Sequence, residues 1–223
     1  MGRALIDQIM EAIDNDLENS VFSFIPNTAE MAYYGLMAGL HQRRRQEVRK
    51  EILEKSQNGG INESFLDQVI MRNWPRTEKV ALKDIKLRTF ISKEKDRADL
   101  ASHVYDVAHG SIRPTDTLIC LDDSIVRGTT LRKAIVIILA RLQPKEIIIL
   151  TTAPQIRNPD CNGIDMSQLE KFIAFEAAIS LLKDQDREGL IRQVYQECLN
   201  QAQKPVELMT NRVKQIYHSF SDE

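Results

Sequence analysis

The stretch Leu118-Ile119-Cys120-Leu121-Asp122-Asp123-Ser124-Ile125-Val126-Arg127-Gly128-Thr129-Thr130 decides how this chain is read. It opens on four apolar residues in a row. A run that short reads as a strand buried on both faces rather than as a helix. Two adjacent carboxylates stand at the strand's carboxyl end. A loop with three hydroxyls, one Arg and one Gly follows, and a helical pattern begins at Leu131. Ligands of open α/β sheets bind outside the carboxyl ends of the strands. Phosphates bind where a loop of backbone N–H groups runs into a helix N-terminus.

Each residue type has a chemical reason to be there. Ser124, Thr129 and Thr130 offer hydroxyl donors to phosphate oxygens. Gly128 lets the backbone approach closely and take positive φ. Asp122 and Asp123 repel phosphate, but they accept hydrogen bonds from sugar hydroxyls or hold Mg²⁺ directly or through water. The pattern points to a phosphorylated sugar with a metal. The plainer reading is a buried strand ending in a capped loop, with Asp or Ser as N-cap. Adjacent acids after a strand are common; the same acids followed by S-I-V-R-G-T-T are not.

These residues resemble the phosphoribosyl pyrophosphate (PRPP) signature of type I phosphoribosyltransferases. The string D-D-S-I-V-R-G-T-T is similar to that of the glutamine amidophosphoribosyltransferases, which begin purine synthesis. Further blocks resemble the same family in the same order: Ile25-Pro26-Asn27-Thr28, Arg88-Thr89-Phe90-Ile91, Ala153-Pro154, Pro159 and Gly163-Ile164-Asp165-Met166. The resemblance implies a type I phosphoribosyltransferase fold, a central mostly parallel sheet flanked by helices. It implies PRPP binding by Asp122, Asp123, Ser124, Ile125, Val126, Arg127, Gly128, Thr129 and Thr130. Asp122, Asp123 and Arg88 take catalytic roles, and Mg²⁺ sits with Thr28, Asp122 and Asp123. Ammonia is the implied acceptor, with purine nucleotides as feedback ligands and a homo-oligomer as the assembly.

The chain also departs from the family pattern. Asn27 and Ala29 stand where the family has an acid and a second hydroxyl, which leaves Thr28. In the loop that closes over PRPP, Leu82, Asp84 and Leu87 stand where the family has Lys, Arg and Gly. Lys83 and Lys86 keep positive charge nearby, and Arg88 is the matched cation. The resemblance covers the phosphoribosyltransferase half of the family only. Its glutaminase half uses an N-terminal Cys, and Gly2 stands here, so glutamine hydrolysis is not expected on this chain. A piece of a longer enzyme and a stand-alone relative both fit that pattern.

The 223 residues suit one large domain. Hydrophobic residues make up 43% and charged residues 28%, an ordinary globular composition. A net charge of −2 gives no general drive toward nucleic acid or acidic membranes. No apolar run approaches the roughly 20 residues that span a bilayer, and the N-terminus lacks a signal peptide's apolar core. Cys120, Cys161 and Cys198 are few and scattered. They suggest reduced thiols in a cytoplasmic protein and argue against the iron–sulfur cluster that some family members carry.

Around the central stretch, the spacing predicts an amphipathic helix over 3–18 and a strand over 21–25. A helix follows from about Thr28, with Met31, Tyr34, Leu36, Met37 and Leu40 as its apolar positions. A charged helix over 41–58 is expected to keep Arg43 to Arg45 on a solvated face. Residues 62–72 read as a short helix, and 45–78 as a helical insertion. A polar helix is expected from Lys93 to about His109, with His103 and His109 outside the chemistry. Helix 131–142 and strand 146–151 complete a βαβ unit with the central strand. Residues 168–223 read as an amphipathic helical extension with a break at 201–205.

Three rival functions follow from the same residues. A nucleobase phosphoribosyltransferase requires a base pocket, and D-D-S-I-V-R-G-T-T argues against it. A non-catalytic PRPP- or nucleotide-binding module fits the altered closing loop. A P-loop NTPase fails, because no GxxxxGK[ST] occurs.

Overall fold

The computed structural model describes residues 1–26, 28–57, 59–72, 74–83, 105–107, 110, 112–129, 131–160, 166–218 and 220. They gather in two compact units, Met1–Ile125 with Thr129–Pro154, and Val126–Gly128 with Gln155–Glu223.

The first unit starts with a 3-10 turn, Gly2–Leu5, and helix α1 (Ile6–Ala12). Then come β1 (Ser20–Phe24), α2 (Glu30–Gln57), α3 (Glu63–Met71), β2 (Arg76–Thr77), β3 (Ala81–Lys83), β4 (Tyr105–Val107) and β5 (Thr117–Asp122). A π turn, Leu131–Ile135, runs into α4 (Val136–Ala140), and β6 (Glu146–Thr151) closes the unit. Four strands form an all-parallel sheet in the order β2-β1-β5-β6. Strands β3 and β4 form a separate antiparallel pair.

The central strands bury both faces, which is why their sequences run apolar without alternation. Val21, Leu118 and Cys120 pack with Ile135, Ile138, Leu139 and Leu142 of the α4 segment. Phe22, Phe24, Ile119 and Leu121 pack on the other face with Ile9 and Met10 of α1 and with Tyr33, Leu36, Met37 and Leu40 of α2. Burying each such side chain contributes about 1.5–3 kcal/mol. The expected α/β architecture, a parallel sheet between helices, is the one observed, and it is consistent with a type I phosphoribosyltransferase fold.

Several local expectations are corrected. The helix expected over 3–18 stops at Ala12, because Asp14 and Asn15 take left-handed φ of 50° and 59°, a region these residue types tolerate. The separate helices expected from Thr28 and over 41–58 are one helix of 28 residues. Tyr33 faces the core, while Met31 and Tyr34 are exposed. Arg44 is buried, against the expectation of a solvated Arg43–Arg45 face. Its Nε donates to the Arg72 carbonyl at 3.1 Å and its Nη2 to the Val69 carbonyl at 3.2 Å. It thereby satisfies open carbonyls at the end of α3.

The span 45–78 is helical only as far as Met71; Arg76 and Thr77 join the main sheet beside Val21 and Phe22. Tyr105–Val107, expected to be helical, is a strand paired with Ala81–Lys83. Tyr105 and Val107 are residue types that favour strands. The rest of the helix expected over 93–109 lies outside the described residues.

Gly2 fits tightly against α2. A Cβ there would lie 1.9 Å from the Ala32 carbonyl oxygen, so the position takes no larger residue without displacing backbone.

The second unit is helical, with α5 (Ile173–Asp184), α6 (Gly189–Ala202) and α7 (Lys214–Tyr217). Ala178, Leu182, Val194, Ile216 and Tyr217 form its core. The break expected at 201–205 starts two residues later: Gln201 and Ala202 are still in α6, and the chain leaves the helix at Gln203. Among the described residues, no helix is long and apolar enough to cross a membrane.

Candidate functional site

The acid pair sits where the central strand ends. Asp122 is the last residue of β5, in register with Thr151 of β6. The ladder is regular up to this point. Leu121 presents its carbonyl to the Ile25 N–H on the β1 side at 2.8 Å, and Asp122 presents its carbonyl to the Thr152 N–H on the β6 side at 3.3 Å. A regular strand would turn the next carbonyl back toward β1. Instead the Asp123 carbonyl also faces the end of β6, accepting from the Ala153 N–H at 3.0 Å and the Thr152 hydroxyl at 3.1 Å.

The alternation of the strand therefore breaks at the acids. Each carboxylate folds onto its own following amide. Asp123 N–H donates to Asp122 Oδ1 at 2.8 Å, and Ser124 N–H donates to Asp123 Oδ1 at 2.7 Å. Asp122, Asp123, Ser124 and Ile125 are half-buried, so the acids are shielded without being sealed off. Thr28 lies beyond the carboxyl end of β1, the parallel neighbour of β5, and is exposed. The topology thus puts Thr28 and the two acids at one edge of the sheet.

Two residues upstream, Cys120 is fully buried. Burial and then the Asp122 charge push its thiol up to about 12, against a hydrogen bond with Ser23 that lowers it. The thiol stays protonated and packs as an apolar group.

The three residues after Ile125 belong to the second unit. There the Ile173 N–H, at the start of α5, donates to the Val126 carbonyl at 2.9 Å. Gly128 is buried with φ of 64°, and a Cβ on it would meet Ile173 Cδ1 at 2.5 Å. Val126 and Arg127 are half-buried. The chain returns to the first unit at Thr129, also half-buried.

No family model matches the chain, and neither does any curated protein sequence. Solved structures do. One, described as the allosteric regulatory enzyme of purine biosynthesis, shares 23% identity over 78% of this chain, with a TM-score of 0.45. Another, the glutamine PRPP amidotransferase of B. subtilis complexed with ADP and GMP, shares 21% over 82%, with a TM-score of 0.46. The likeness is one of fold. This chain spans 30% and 33% of their lengths, about a third of each.

Of the residues singled out from sequence, Asp122, Asp123, Ser124 and Thr28 lie at the carboxyl edge of the sheet. Arg88, Thr130 and Asp165 lie outside the described residues. Sequence reasoning missed Thr151 and Thr152, whose hydroxyls lock the end of β6 and the acid turn. The signal available was a pair of hydroxyl residues directly after the strand that neighbours the acids. Among the described residues, no group of three or more His, Cys, Asp and Glu gathers as a metal cage.

Proposed function

We propose that this chain is the phosphoribosyl-transferring part of an amidophosphoribosyltransferase-type enzyme. It moves the phosphoribosyl group of PRPP to ammonia, giving 5-phosphoribosylamine and pyrophosphate, the opening step of purine synthesis. The observation that carries this reading is the acid turn, two half-buried carboxylates at the carboxyl end of the central parallel strand, followed directly by S-I-V-R-G-T-T.

In this reading the 5-phosphate takes the hydroxyls and backbone N–H groups of Ser124–Thr130. Asp122 and Asp123 accept from the ribose hydroxyls. As the bond from the anomeric carbon to pyrophosphate oxygen lengthens, positive charge grows on the ribose. The two carboxylates stabilise that charge from fixed positions. The nitrogen of ammonia forms the new bond to carbon, pyrophosphate leaves with the bonding pair, and one proton goes to solvent. No general base is needed for a nucleophile that is already neutral, so catalysis is positioning and electrostatics.

Mg²⁺ fits the donor set, which is all oxygen: Asp122, Asp123 and the Thr28 hydroxyl. When bound, it supplies positive charge that neutralises the pyrophosphate oxygens. Arg88 meets the same oxygens from the closing loop. The same reading makes residues 1–223 one phosphoribosyltransferase domain with a helical extension over 168–223. It also makes the protein a cytoplasmic homo-oligomer that binds purine nucleotides.

The test is pyrophosphate release from PRPP with Mg²⁺ and ammonium at mildly alkaline pH, with Asp122→Ala/Asp123→Ala as control. Ammonium-dependent release that vanishes in the control upholds the proposal. Folded protein that binds PRPP without releasing pyrophosphate points to the non-catalytic module that Leu82, Asp84 and Leu87 favour.

A further inference from the structure

We propose that Thr152 is a positioning residue for the acid pair, its hydroxyl setting the direction in which the Asp122–Asp123 turn leaves β5. The inference rests on the reading of these acids as the ribose-facing groups.

Peptide planarity links the carbonyl that Thr152 holds to the amide beyond it. The Asp123 carbonyl and the Ser124 N–H belong to one rigid plane and point opposite ways along it. The Thr152 hydroxyl and the Ala153 N–H hold that carbonyl at 3.1 and 3.0 Å, occupying both of its lone pairs. With the carbonyl held toward β6, the Ser124 N–H is aimed back at the Asp123 carboxylate, which it reaches at 2.7 Å. The preceding peptide repeats the device. The Thr152 N–H holds the Asp122 carbonyl, and the Asp123 N–H at the other end of that plane meets Asp122 Oδ1.

One residue thus orients both carboxylates, the first through its backbone and the second through its side chain. Thr151 braces the same corner, its hydroxyl donating to the Ala153 carbonyl at 2.9 Å. A mere strand end would need none of these side-chain bonds, since the ladder already ties β6 to β5.

Thr152→Val keeps the shape and removes the donor; Thr152→Ser keeps the donor. Two readouts decide the matter: steady-state turnover of PRPP with ammonium, and the amide resonance of Ser124, which reports its bond to the Asp123 carboxylate. We expect Thr152→Val to lower kcat about tenfold, the scale of one supporting hydrogen bond near reacting groups. KM for PRPP should move less, and the Ser124 amide should shift upfield. Thr152→Ser should restore both readouts, and the melting temperature should separate these effects from unfolding.

An unmoved Ser124 amide in folded Thr152→Val overturns the proposal whatever the turnover. So does a moved amide with unchanged kcat, or a loss that Ser does not restore. If the wild-type chain releases no pyrophosphate, the proposed activity fails by itself. The Ser124 amide then decides the positioning claim alone, a moved resonance upholding it and an unmoved one overturning it.

Discussion

Gly128 and Ile173 compete for the same space: a Cβ on the glycine would lie 2.5 Å from Ile173 Cδ1, at a φ of 64° that L residues avoid. Gly128→Ala should destabilise the second unit by about 1–2 kcal/mol from the backbone conformation alone. The steric part is extra, and Ile173→Val in the same chain should recover it while leaving the conformational part. Urea denaturation of the single and double variants separates the two. Under the proposed function, PRPP binding weakens in both, because the phosphate-loop backbone has moved.

Arg44 ties α3 to α2 through two carbonyls, with Glu47 and Glu51 at 3.4 and 3.7 Å from its Nη1. Arg44→Met should cost about 2–4 kcal/mol, because the buried Val69 carbonyl and the part-buried Arg72 carbonyl lose their donor. Arg44→Lys should recover less than half, since one ammonium cannot reproduce the planar fork. Hydrogen exchange should show α3 losing protection before the sheet does.

The Asp116 carboxyl is fully buried and accepts from Arg76 Nη1 at 2.6 Å and the Arg113 N–H at 2.8 Å. Burial alone would raise its pKa, but these two bonds and the Arg charges outweigh it and hold the group below the usual carboxylate range. A lowered value in the folded state means that the unfolded chain takes up the proton first as pH falls. The stabilisation is therefore present above the ordinary Asp value, about 3.9, and is lost as pH falls toward and through the folded one. Asp116→Asn should be less stable at neutral pH and should lose less stability on acidification. Melting temperatures from pH 7 downward check this.

Cys120 and Cys198 should separate cleanly in thiol chemistry. Cys120 is sealed in the core with its thiol raised to about 12, whereas Cys198 is half-buried on α6. In a Cys161→Ser background, a maleimide at pH 8 should modify Cys198 and leave Cys120 untouched until denaturant is added. Peptide mass spectrometry reads the outcome.

The parallel sheet was legible because packing on both faces leaves an apolar run without alternation, as in the buried Leu118–Leu121 and the half-buried Ile147–Leu150. The acid turn was legible because its residue types are rare together. Arg44 was not, since it sits between two arginines of the same chemistry and its partners, Val69 and Arg72, are distant in sequence. Strand β2 has two residues and no periodicity to read. Tyr33 and Tyr34 differ only in helix phase, which a single turn sets. The role of Thr152 depends on which way one peptide plane faces, and residue type does not encode that.

At about 1.5 Å per residue, α2 is roughly 42 Å long, while its five-residue neighbour β1 covers about 17 Å. Past Arg44 the helix outruns the sheet and becomes a mast, with α3 as its stay and Arg44 as the fastening. Its tip, at Gly59–Ile61, carries no part of the core. A reporter spliced in at that tip would ride on the protein without touching the strands that hold the acids.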